Sequence, residues 1–323
     1  MAKAIRIHQF GGPEVLRFEE LDVGQPGEGE VLVGQRAIGL NYIDIYQRGG
    51  IYPNPLPLVL GNEASGDVLA VGPGVEEFRP GDRVAYGTAL GAYAEQRIVA
   101  AKHLVKLPDA IDYDIGAVMM LKGMTAQYLL RRTHRVGPED VILVQAAAGG
   151  VGLILCQWAK ALGATVIGTA GTPEKAELAR QHGADHVILY RTEDVAARVK
   201  EITGGRKCTV VYDAVGQATF EGSIDSLRPL GLLASFGAAS GQIPAFNVSL
   251  LAQKGSLFLT RPTLFTYAAE RQDLLAMAKD VTEAITSGTI KIDVHSRVPL
   301  RDTADAHRAL EARDTVGATV LIP

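Results

Sequence analysis

Two different patterns of apolar and polar residues divide the chain. Residues 1–124 contain short strand-like runs separated by glycine- and proline-rich turns, among them EVLVGQRAIGL, GDVLAVGPGV, GDRVAYGT and AYAEQRIVA. From residue 125 onward, apolar β-branched runs alternate with longer helical patterns; the runs are VILV, TVIGT, HVILY, CTVVY, LLASFG and SLFLT. Apolar strands joined by helices indicate a parallel, doubly wound sheet. The pattern therefore predicts an α/β protein with a second, β-rich domain.

The end of the chain returns to the first pattern. The segment IKIDVHSRVPLRDTADAHRALEARDTVGATVLIP has a helix flanked by strands, and we expect it to fold onto the β-rich domain. A length of 323 residues also suits two domains. The predicted division is a β-rich domain of residues 1–124 and 265–323, with the α/β domain of residues 125–264 inserted between its two parts.

A glycine-rich turn follows the first strand of the α/β domain. Its residues are Ala147, Ala148, Gly149, Gly150, Val151 and Gly152. They match the dinucleotide fingerprint, with alanine in place of the first glycine. Such a turn lets a pyrophosphate approach bare backbone at the start of a helix, where free N–H groups and the helix dipole stabilise negative charge. The turn alone is often only a tight connection, but its position between a strand and a helix favours a nucleotide site.

The end of the next strand indicates which dinucleotide is bound. An NAD site usually has a carboxylate about 20 residues beyond the fingerprint, whereas this chain reads Thr169, Ala170, Gly171 and Thr172. Thr172 is a predicted helix cap, and Lys175 lies in the first turn of that helix, where a cation opposes the dipole. The missing acid and the added base favour a 2′-phosphate and hence NADPH. Alternatively, Lys175 is a solvated surface residue. Tyr190, after the third strand, either flanks the adenine or has no ligand role.

Composition and charge narrow the functional classes. Apolar residues make up 47% of the chain and charged residues 21%, and the net charge is −4. Nucleic acid is therefore not expected as the main partner. The start of the chain lacks the apolar core of a signal peptide, and no apolar stretch approaches the length of a membrane span. Cys156 and Cys208 lie in predicted core elements. We expect a cytoplasmic protein without a disulfide framework.

Several long motifs carry a family resemblance. They are GGPEVL (11–16), AIGLNYIDIYQRGGIYP (37–53), GNEASGDVLAVGPGV (61–75), GDRVAY (81–86), AAAGGVGLILCQWAKALGA (146–164) and LTRP (259–262). Together they resemble the quinone oxidoreductases, in the zinc-free branch of the medium-chain dehydrogenase/reductase superfamily that contains zeta-crystallin. The resemblance extends to the final VLIP. It implies a GroES-like catalytic domain, a Rossmann domain, NADPH and a homodimer.

The resemblance also implies site residues. In the NYIDIY loop, Asn41, Ile43 and Asp44 are expected beside the nicotinamide ribose and amide. Tyr46 and Tyr52 are expected to line the quinone slot, where a phenol hydroxyl could donate to a quinone oxygen, although ordinary loop packing is an alternative for both. Asn41 and the two tyrosines are thus the candidate catalytic residues. The further cofactor contacts that the family implies are Tyr128, Gly150, Val151, Gly171, Lys175, Tyr190, Phe236, Gly237 and Arg261.

The zinc ligands of related dehydrogenases are replaced in this sequence. Asn41 stands where the first cysteine falls, Asn62 replaces the histidine, and an apolar residue near Leu121 replaces the second cysteine. Amides and an aliphatic side chain cannot supply the thiolates and imidazole that hold Zn²⁺. The four-cysteine structural lobe is also absent, and we therefore predict no metal site.

A substrate that needs no Lewis acid fits these features. A quinone accepts hydride on a conjugated carbonyl system, and the enzyme then mainly has to hold the nicotinamide against the ring in a dry slot. We therefore predict an NADPH-dependent quinone reductase with its substrate in an apolar interdomain cleft. The alternative is an NADPH-dependent reductase of the double bond of 2-alkenals or enones.

Two predictions concern partners. The apolar strand SLFLT (256–260) is expected at the edge of the Rossmann sheet, where it invites pairing with a second subunit. A homodimer through this edge is predicted, and a covered edge in a monomer is the alternative. RNA binding as a secondary role is suggested by zeta-crystallin relatives, but the acidic net charge argues against it as the main function.

Overall fold

The computed structural model describes residues 1–323. The chain divides into two compact units. The first consists of Met1–Met124, Tyr267–Thr286 and Ile292–Pro323, and the second of Thr125–Thr266 and Ser287–Lys291.

The regular elements follow the predicted alternation. The strands are β1 (Ala2–Ile7), β2 (Arg17–Leu21), β3 (Glu30–Gly39), β4 (Leu58–Val59), β5 (Glu63–Val71), β6 (Arg83–Tyr86), β7 (Gln96–Ala100), β8 (Val105–Lys106), β9 (Val141–Val144), β10 (Thr165–Ala170), β11 (His186–Leu189), β12 (Cys208–Asp213), β13 (Leu227–Ser235), β14 (Phe258–Thr260), β15 (Val294–Pro299) and β16 (Ala318–Ile322). The α-helices are α1 (Tyr42–Arg48), α2 (Tyr113–Tyr128), α3 (Gly150–Ala161), α4 (Pro173–Gln181), α5 (Val195–Ile202), α6 (Phe220–Asp225), α7 (Ser249–Gln253), α8 (Leu264–Tyr267), α9 (Arg271–Thr286) and α10 (Thr303–Glu311). A π-helical turn, Leu129–Thr133, directly follows α2.

The first unit is built on two sheets. One has the order β2-β1-β4, and the larger has the order β15-β16-β3-β5-β6-β8, with β7 paired to β3. Strand β3 alternates between the two sides of its sheet, so that Val31 and Val33 are fully buried in the core. Strand β16 pairs antiparallel with β3, Val320 opposite Gly39. The closing segment of the chain therefore belongs to the sheet that leads into α1.

The second unit contains one six-stranded sheet of order β11-β10-β9-β12-β13-β14. Every recorded pair in it is parallel, as the apolar runs predict. Its core contains Leu143, Ile167, Ile188 and Val211, all fully buried. The strand order reverses at β9, whose neighbours are β10 and β12. In open α/β sheets a ligand binds beyond the carboxyl ends of the strands at such a reversal.

The edge strand of this sheet is shorter than predicted. β14 covers Phe258–Thr260 rather than residues 256–260, because Ser256 has a φ of 54° and cannot continue an extended strand. Its place at the sheet edge is as predicted. None of the helices combines the length and the apolar character that a membrane span requires.

Candidate active site

The glycine turn lies at the carboxyl end of β9, at the reversal point of the sheet. Gly149 caps α3, which begins at Gly150. A Cβ on Gly152 would lie 2.4 Å from the carbonyl oxygen of Ala146, so only glycine fits this point of contact between helix and turn. The first helical N–H groups of α3 point out of the turn and have no partner within the helix. The geometry is that of an anion site built from main-chain donors.

Ala147, which replaces the first glycine of the fingerprint, is accommodated by a glycine in the neighbouring strand. Its side chain is fully buried, and its methyl carbon is 2.7 Å from the position that a Cβ on Gly168 would take. Because Gly168 has no side chain, the methyl group of Ala147 packs against β10 without displacing the turn. The two positions are therefore complementary.

Buried polar side chains next to the glycine turn hold it in place through hydrogen bonds. Thr169 accepts a hydrogen bond from the Ala146 N–H (3.2 Å) and donates to Gln145 (2.7 Å). Gln145 donates to Ser223 (3.0 Å), which donates to Asp213 (2.8 Å). The bonds of Thr169 and Ser223 to Gln145 and Ala146 tie the residues before the turn to the rest of the unit, so the backbone donors are fixed before any ligand binds.

The predicted 2′-phosphate residues come together beyond the ends of β10 and β11. Thr172 caps α4 and accepts a hydrogen bond from the Lys175 N–H at 3.3 Å. The hydroxyl of Tyr190 lies 2.6 Å from the position of a Cβ on Gly171, and Arg191 Nε lies 3.4 Å from the same point. Arg191 is therefore a cation beside Gly171, and it was not predicted.

The remaining predicted cofactor residues of this unit lie at two places. Arg261 donates to the carbonyl oxygens of Ser235 (2.9 Å) and Gly237 (2.7 Å), and these two bonds hold the backbone at the end of β13. A Cβ on Gly237 would lie 2.2 Å from a backbone oxygen. Phe236 is half-buried. Tyr128, at the end of α2, is only 2% exposed, so most of its surface is taken up by the protein itself.

In the first unit, the predicted nicotinamide residues lie at the start of α1. Asn41 is the residue that caps this helix, and its N–H donates to Asp44 Oδ2 at 2.9 Å. Asp44 Oδ1 accepts from the Asn62 amide at 2.8 Å, and Oδ2 also accepts from the Tyr93 hydroxyl at 2.8 Å. Burial raises the pKa of Asp44 to about 6, although the hydrogen bonds from Asn62 and Tyr93 offset part of that effect. Ile43 is half-buried.

A buried ion pair lies beside Asn41. Lys122 Nζ donates to Asn41 Oδ1 (2.8 Å) and to Glu63 Oε2 (3.1 Å). The Asn41 amide donates to the same oxygen of Glu63 at 3.0 Å. Gly39 makes room for this carboxylate, because a Cβ there would lie 2.6 Å from Glu63 Oε2. The three side chains form one cluster, which we call the Asn41–Glu63–Lys122 cluster.

A second chain of hydrogen bonds runs from Asp44 to the surface. Tyr93 is 3.1 Å from His307 Nε2, Arg48 Nη1 is 2.9 Å from His307 Nδ1, and Arg48 pairs with Glu311 at 2.5 Å. Because a guanidinium can only donate, His307 accepts at Nδ1, and its proton is on Nε2. Burial first and the charge of Arg48 second lower the pKa of His307 to about 3. The ring is therefore neutral in the folded protein.

The predicted substrate-slot tyrosines contact each other. The rings of Tyr46 and Tyr52 are 5.6 Å apart and nearly perpendicular, at 88°. Tyr46 is 8% exposed and Tyr52 is 39% exposed, so the inner ring supports the outer one. Tyr52 thus presents an aromatic edge and a hydroxyl at the surface of the first unit.

The residues at the former zinc positions do not suit a metal. Asn41 and Asn62 are both held in hydrogen bonds to carboxylates, and the Leu121 backbone N–H donates to Glu63 Oε1 at 2.7 Å. No group of three or more histidine, cysteine, aspartate or glutamate side chains is arranged to hold an ion. Cys156 and Cys208 are buried free thiols in the second unit, and burial raises the pKa of each to about 12. The donor set offers no tetrahedral zinc site.

Several residues of the site were not found from the sequence. Sequence reasoning did not single out Lys122, Glu63, Tyr93, His307 or Arg191, because the residues that they contact lie far away along the chain. The three histidines considered from the sequence lie elsewhere: His8 pairs with Glu19 at 3.1 Å, His134 with Asp140 at 3.1 Å, and His103 contacts Thr88. A lysine inside an apolar helical run, MMLKGM, was the available signal for Lys122.

Two family models match the chain. An alcohol dehydrogenase GroES-like domain matches residues 27–109, and a zinc-binding dehydrogenase domain matches residues 150–280. The zinc in the second description has no counterpart in the donor set described above.

Relatives match over the full length. The chain is 53% identical to a quinone oxidoreductase of Pseudomonas aeruginosa, with 100% of both chains covered. It is 46% identical to a 2-haloacrylate reductase of a Burkholderia species, covering 100% of this chain and 99% of that one. A crystal structure of Escherichia coli quinone oxidoreductase complexed with NADPH has a TM-score of 0.98 at 49% identity, with 100% of both chains covered.

The neutral, buried His307 predicts a pH-dependent stability. Its pKa is depressed on folding, so the unfolded chain binds a proton that the folded chain does not, and stability is lost as the pH falls below the ordinary histidine value. Glutamine can keep both hydrogen bonds without titrating. We expect the unfolding free energy of the wild type to fall by about 2 kcal/mol relative to His307→Gln between about pH 7.5 and pH 5.

Urea unfolding of both proteins across this pH range measures the difference. Asp44 acts in the opposite direction, because its pKa is raised on folding, but it is present in both proteins. A constant difference between wild type and variant would mean that His307 is already charged in the folded protein.

Proposed function

The chain belongs to the quinone oxidoreductase family of the medium-chain dehydrogenase/reductase superfamily, and we propose that it is an NADPH-dependent quinone reductase. The observation that carries this proposal is a Rossmann turn with glycine at positions 149, 150 and 152, together with Lys175 and Arg191 and no acid at the end of the neighbouring strand. The NADPH complex of the Escherichia coli relative supports the choice of cofactor. When bound, NADPH supplies the hydride that reduces the quinone.

We assign the pyrophosphate to the main-chain donors of the glycine turn. Gly150 and Val151 expose backbone N–H groups at the start of α3, whereas the Gly149 N–H donates to the Ala146 carbonyl at 2.9 Å. The dipole of this twelve-residue helix favours negative charge there. Gly152 and Ala147 keep the turn close to the helix and the sheet. No charged side chain is required at this point, because the backbone itself supplies the donors.

The 2′-phosphate is assigned to the residues beyond β10. Lys175 and Arg191 supply positive charge, Thr172 a hydroxyl, and Tyr190 an aromatic face for the adenine. An NAD-specific site would have a carboxylate here to bind the ribose hydroxyls. Glu174 lies exposed in the first turn of α4, where backbone N–H groups lower its pKa. Phe236, Gly237 and Arg261 remain proposed contacts of the cofactor.

The quinone is assigned to the first unit's aromatic surface. Tyr52 offers a partly exposed aromatic ring that packs edge to face on the buried ring of Tyr46, and Asn41 and Asp44 lie at the start of α1, the helix that contains Tyr46. That the quinone is enclosed between the two domains stays a prediction. The rigid hydrogen bonds at Asn41 and Asp44 favour a role in orienting ligands rather than in shuttling protons.

A second candidate activity is the reduction of an activated carbon–carbon double bond. The relative described as a 2-haloacrylate reductase, at 46% identity, favours it. Both reactions would use the same cofactor site. They differ only in what the substrate side accepts.

A panel of substrates separates the two activities. We expect NADPH oxidation to be at least about tenfold more efficient, in kcat/KM, with benzoquinones and naphthoquinones than with 2-alkenals and 2-haloacrylates, because a reduced quinone can take its proton on oxygen directly from water, whereas an alkene has to be protonated on carbon. Absorbance of NADPH at its nicotinamide band follows both reactions. Preference for the alkenes would replace the quinone proposal with the second candidate.

Two substitutions test the 2′-phosphate assignment. Lys175→Ala and Arg191→Ala should each weaken NADPH binding by about tenfold or more and leave NADH binding nearly unchanged, since only NADPH carries the phosphate. Titration of each coenzyme, followed by nicotinamide fluorescence, gives the dissociation constants. Lys200→Ala, on the exposed surface of α5, is the matched control. Equal losses for both coenzymes would contradict the assignment.

We also propose a homodimer through β14. This strand has a partner on one side only, and Phe258 on it is 60% exposed. Leu230 and Val248, in the same unit, are 68% and 72% exposed. An open strand edge with apolar side chains favours pairing with the same edge of a second copy.

Charge at this edge should prevent assembly. Phe258→Lys is expected to give a monomer, because a second copy would bring two buried ammonium groups together. Sedimentation velocity of wild type and variant measures the state. Phe18→Lys, at an exposed phenylalanine of β2 (43% exposed), is the control and should not alter the wild-type state. A monomeric wild type would contradict the dimer.

A further inference from the structure

Lys122 is a buried cation beside Asn41 in the candidate site. It lies on α2, is 6% exposed, and makes hydrogen bonds to Asn41 and Glu63. Burying an ammonium group is costly unless its charge is paired and its protons are bound. Glu63, itself 0% exposed, supplies the paired charge.

One N–H donor in the Asn41–Glu63–Lys122 cluster is not used by the hydrogen bonds within the cluster. Both amide protons of Asn41 are used, since Nδ2 donates to the Gly39 carbonyl (3.3 Å) and to Glu63 (3.0 Å). Glu63 only accepts, at Oε1 from the Leu121 N–H and at Oε2 from Asn41 and Lys122. An ammonium group has three N–H donors, and two of those of Lys122 are accounted for. The third is the one remaining donor in the cluster.

We propose that Lys122 is a catalytic residue, whose third N–H donates to the substrate oxygen on which negative charge develops during reduction. This inference rests on the proposed function. The oxygen belongs to a quinone carbonyl conjugated to the carbon that accepts hydride. Asn41, fixed by the same lysine, positions the ligand, and Lys122 stabilises the charge.

The reaction balances without any further reactant. Hydride addition to the ring carbon gives the quinone two electrons and one proton, and converts the conjugated carbonyl oxygen into an enolate anion. The ammonium group hydrogen-bonds to this oxygen and keeps its own proton. A proton from water then neutralises the oxygen, and the hydrogen on the ring carbon moves as a proton to the second carbonyl oxygen by tautomerisation, which completes the quinol. A fixed cation in a water-poor site stabilises such an anion more than water does, because it needs no reorganisation.

The competing explanation is that Lys122 only neutralises Glu63. A single substitution cannot separate the two explanations, because Lys122→Met leaves a buried carboxylate without a counter-ion and can unfold the protein. The double variant Glu63→Gln/Lys122→Met removes both charges together. Glutamine keeps an acceptor for the Leu121 N–H, and methionine has nearly the same length as lysine.

The experiment measures steady-state quinone reduction, NADPH affinity by fluorescence, and the thermal midpoint of the double variant. We expect a folded protein whose NADPH dissociation constant changes by less than about threefold. Its kcat should fall by about 100-fold. The loss should be larger with electron-rich quinones, whose enolate anions are more basic and depend more on the hydrogen bond.

Lys106→Met is the matched control. This lysine also pairs with a carboxylate, Asp82, at 3.1 Å in the same unit, but its side chain is 62% exposed. It should leave kcat unchanged. A wild-type kcat in the double variant would overturn the role of Lys122 and leave the proposed function standing. An equal loss of kcat for all quinones, or a loss explained by weaker NADPH binding, would do the same. A wild type that reduces no quinone would instead overturn the proposed function, and the inference with it.

Discussion

The requirement that buried charges be paired governs the start of α1. Asp44 and Glu63 are both fully buried, and no water competes for their oxygens. Each carboxylate is held by three hydrogen bonds from the protein. The cost of losing any one donor is high in such surroundings, so the loop has few alternative conformations. The rigidity that a metal ion would give to this loop is supplied here by amides, a tyrosine and a lysine.

The glycine turn of the second unit, to which we assign the pyrophosphate, follows the opposite principle. Glycine at positions 149, 150 and 152 leaves the backbone accessible, so the favourable charge for an anion comes from main-chain N–H groups and the helix dipole. Ala147 departs from the fingerprint, but the absence of a side chain at Gly168 compensates for it. Substitution at one of these two positions therefore has to be judged together with the other. The Gln145–Thr169 hydrogen bond fixes the position of the turn, just as the hydrogen bond from Lys122 fixes the Asn41 side chain.

What the sequence could predict depends on how far apart the interacting residues are along the chain. The parallel sheet, the Thr172 cap and the edge position of β14 follow from local patterns, and they were predicted correctly. The contacts of His307 with Tyr93 and of Lys122 with Asn41 span 214 and 81 residues, and no local pattern indicates them. Arg191 was missed because only the fold brings it to Gly171. β14 was predicted too long because a positive φ at Ser256 leaves no trace in hydropathy.

The same chemistry explains why one scaffold serves related reductions. Addition of hydride to a quinone or to an activated double bond pushes negative charge onto an oxygen at the far end of a conjugated system. A fixed cation near that oxygen would assist both reactions, so the cation itself does not select between them. The two substrates differ in shape, since a quinone is a flat ring and a short alkene is not, and in whether carbon must be protonated. In the proposed site, selection would therefore fall to the tyrosine pair, in which the buried Tyr46 supports the more exposed ring of Tyr52.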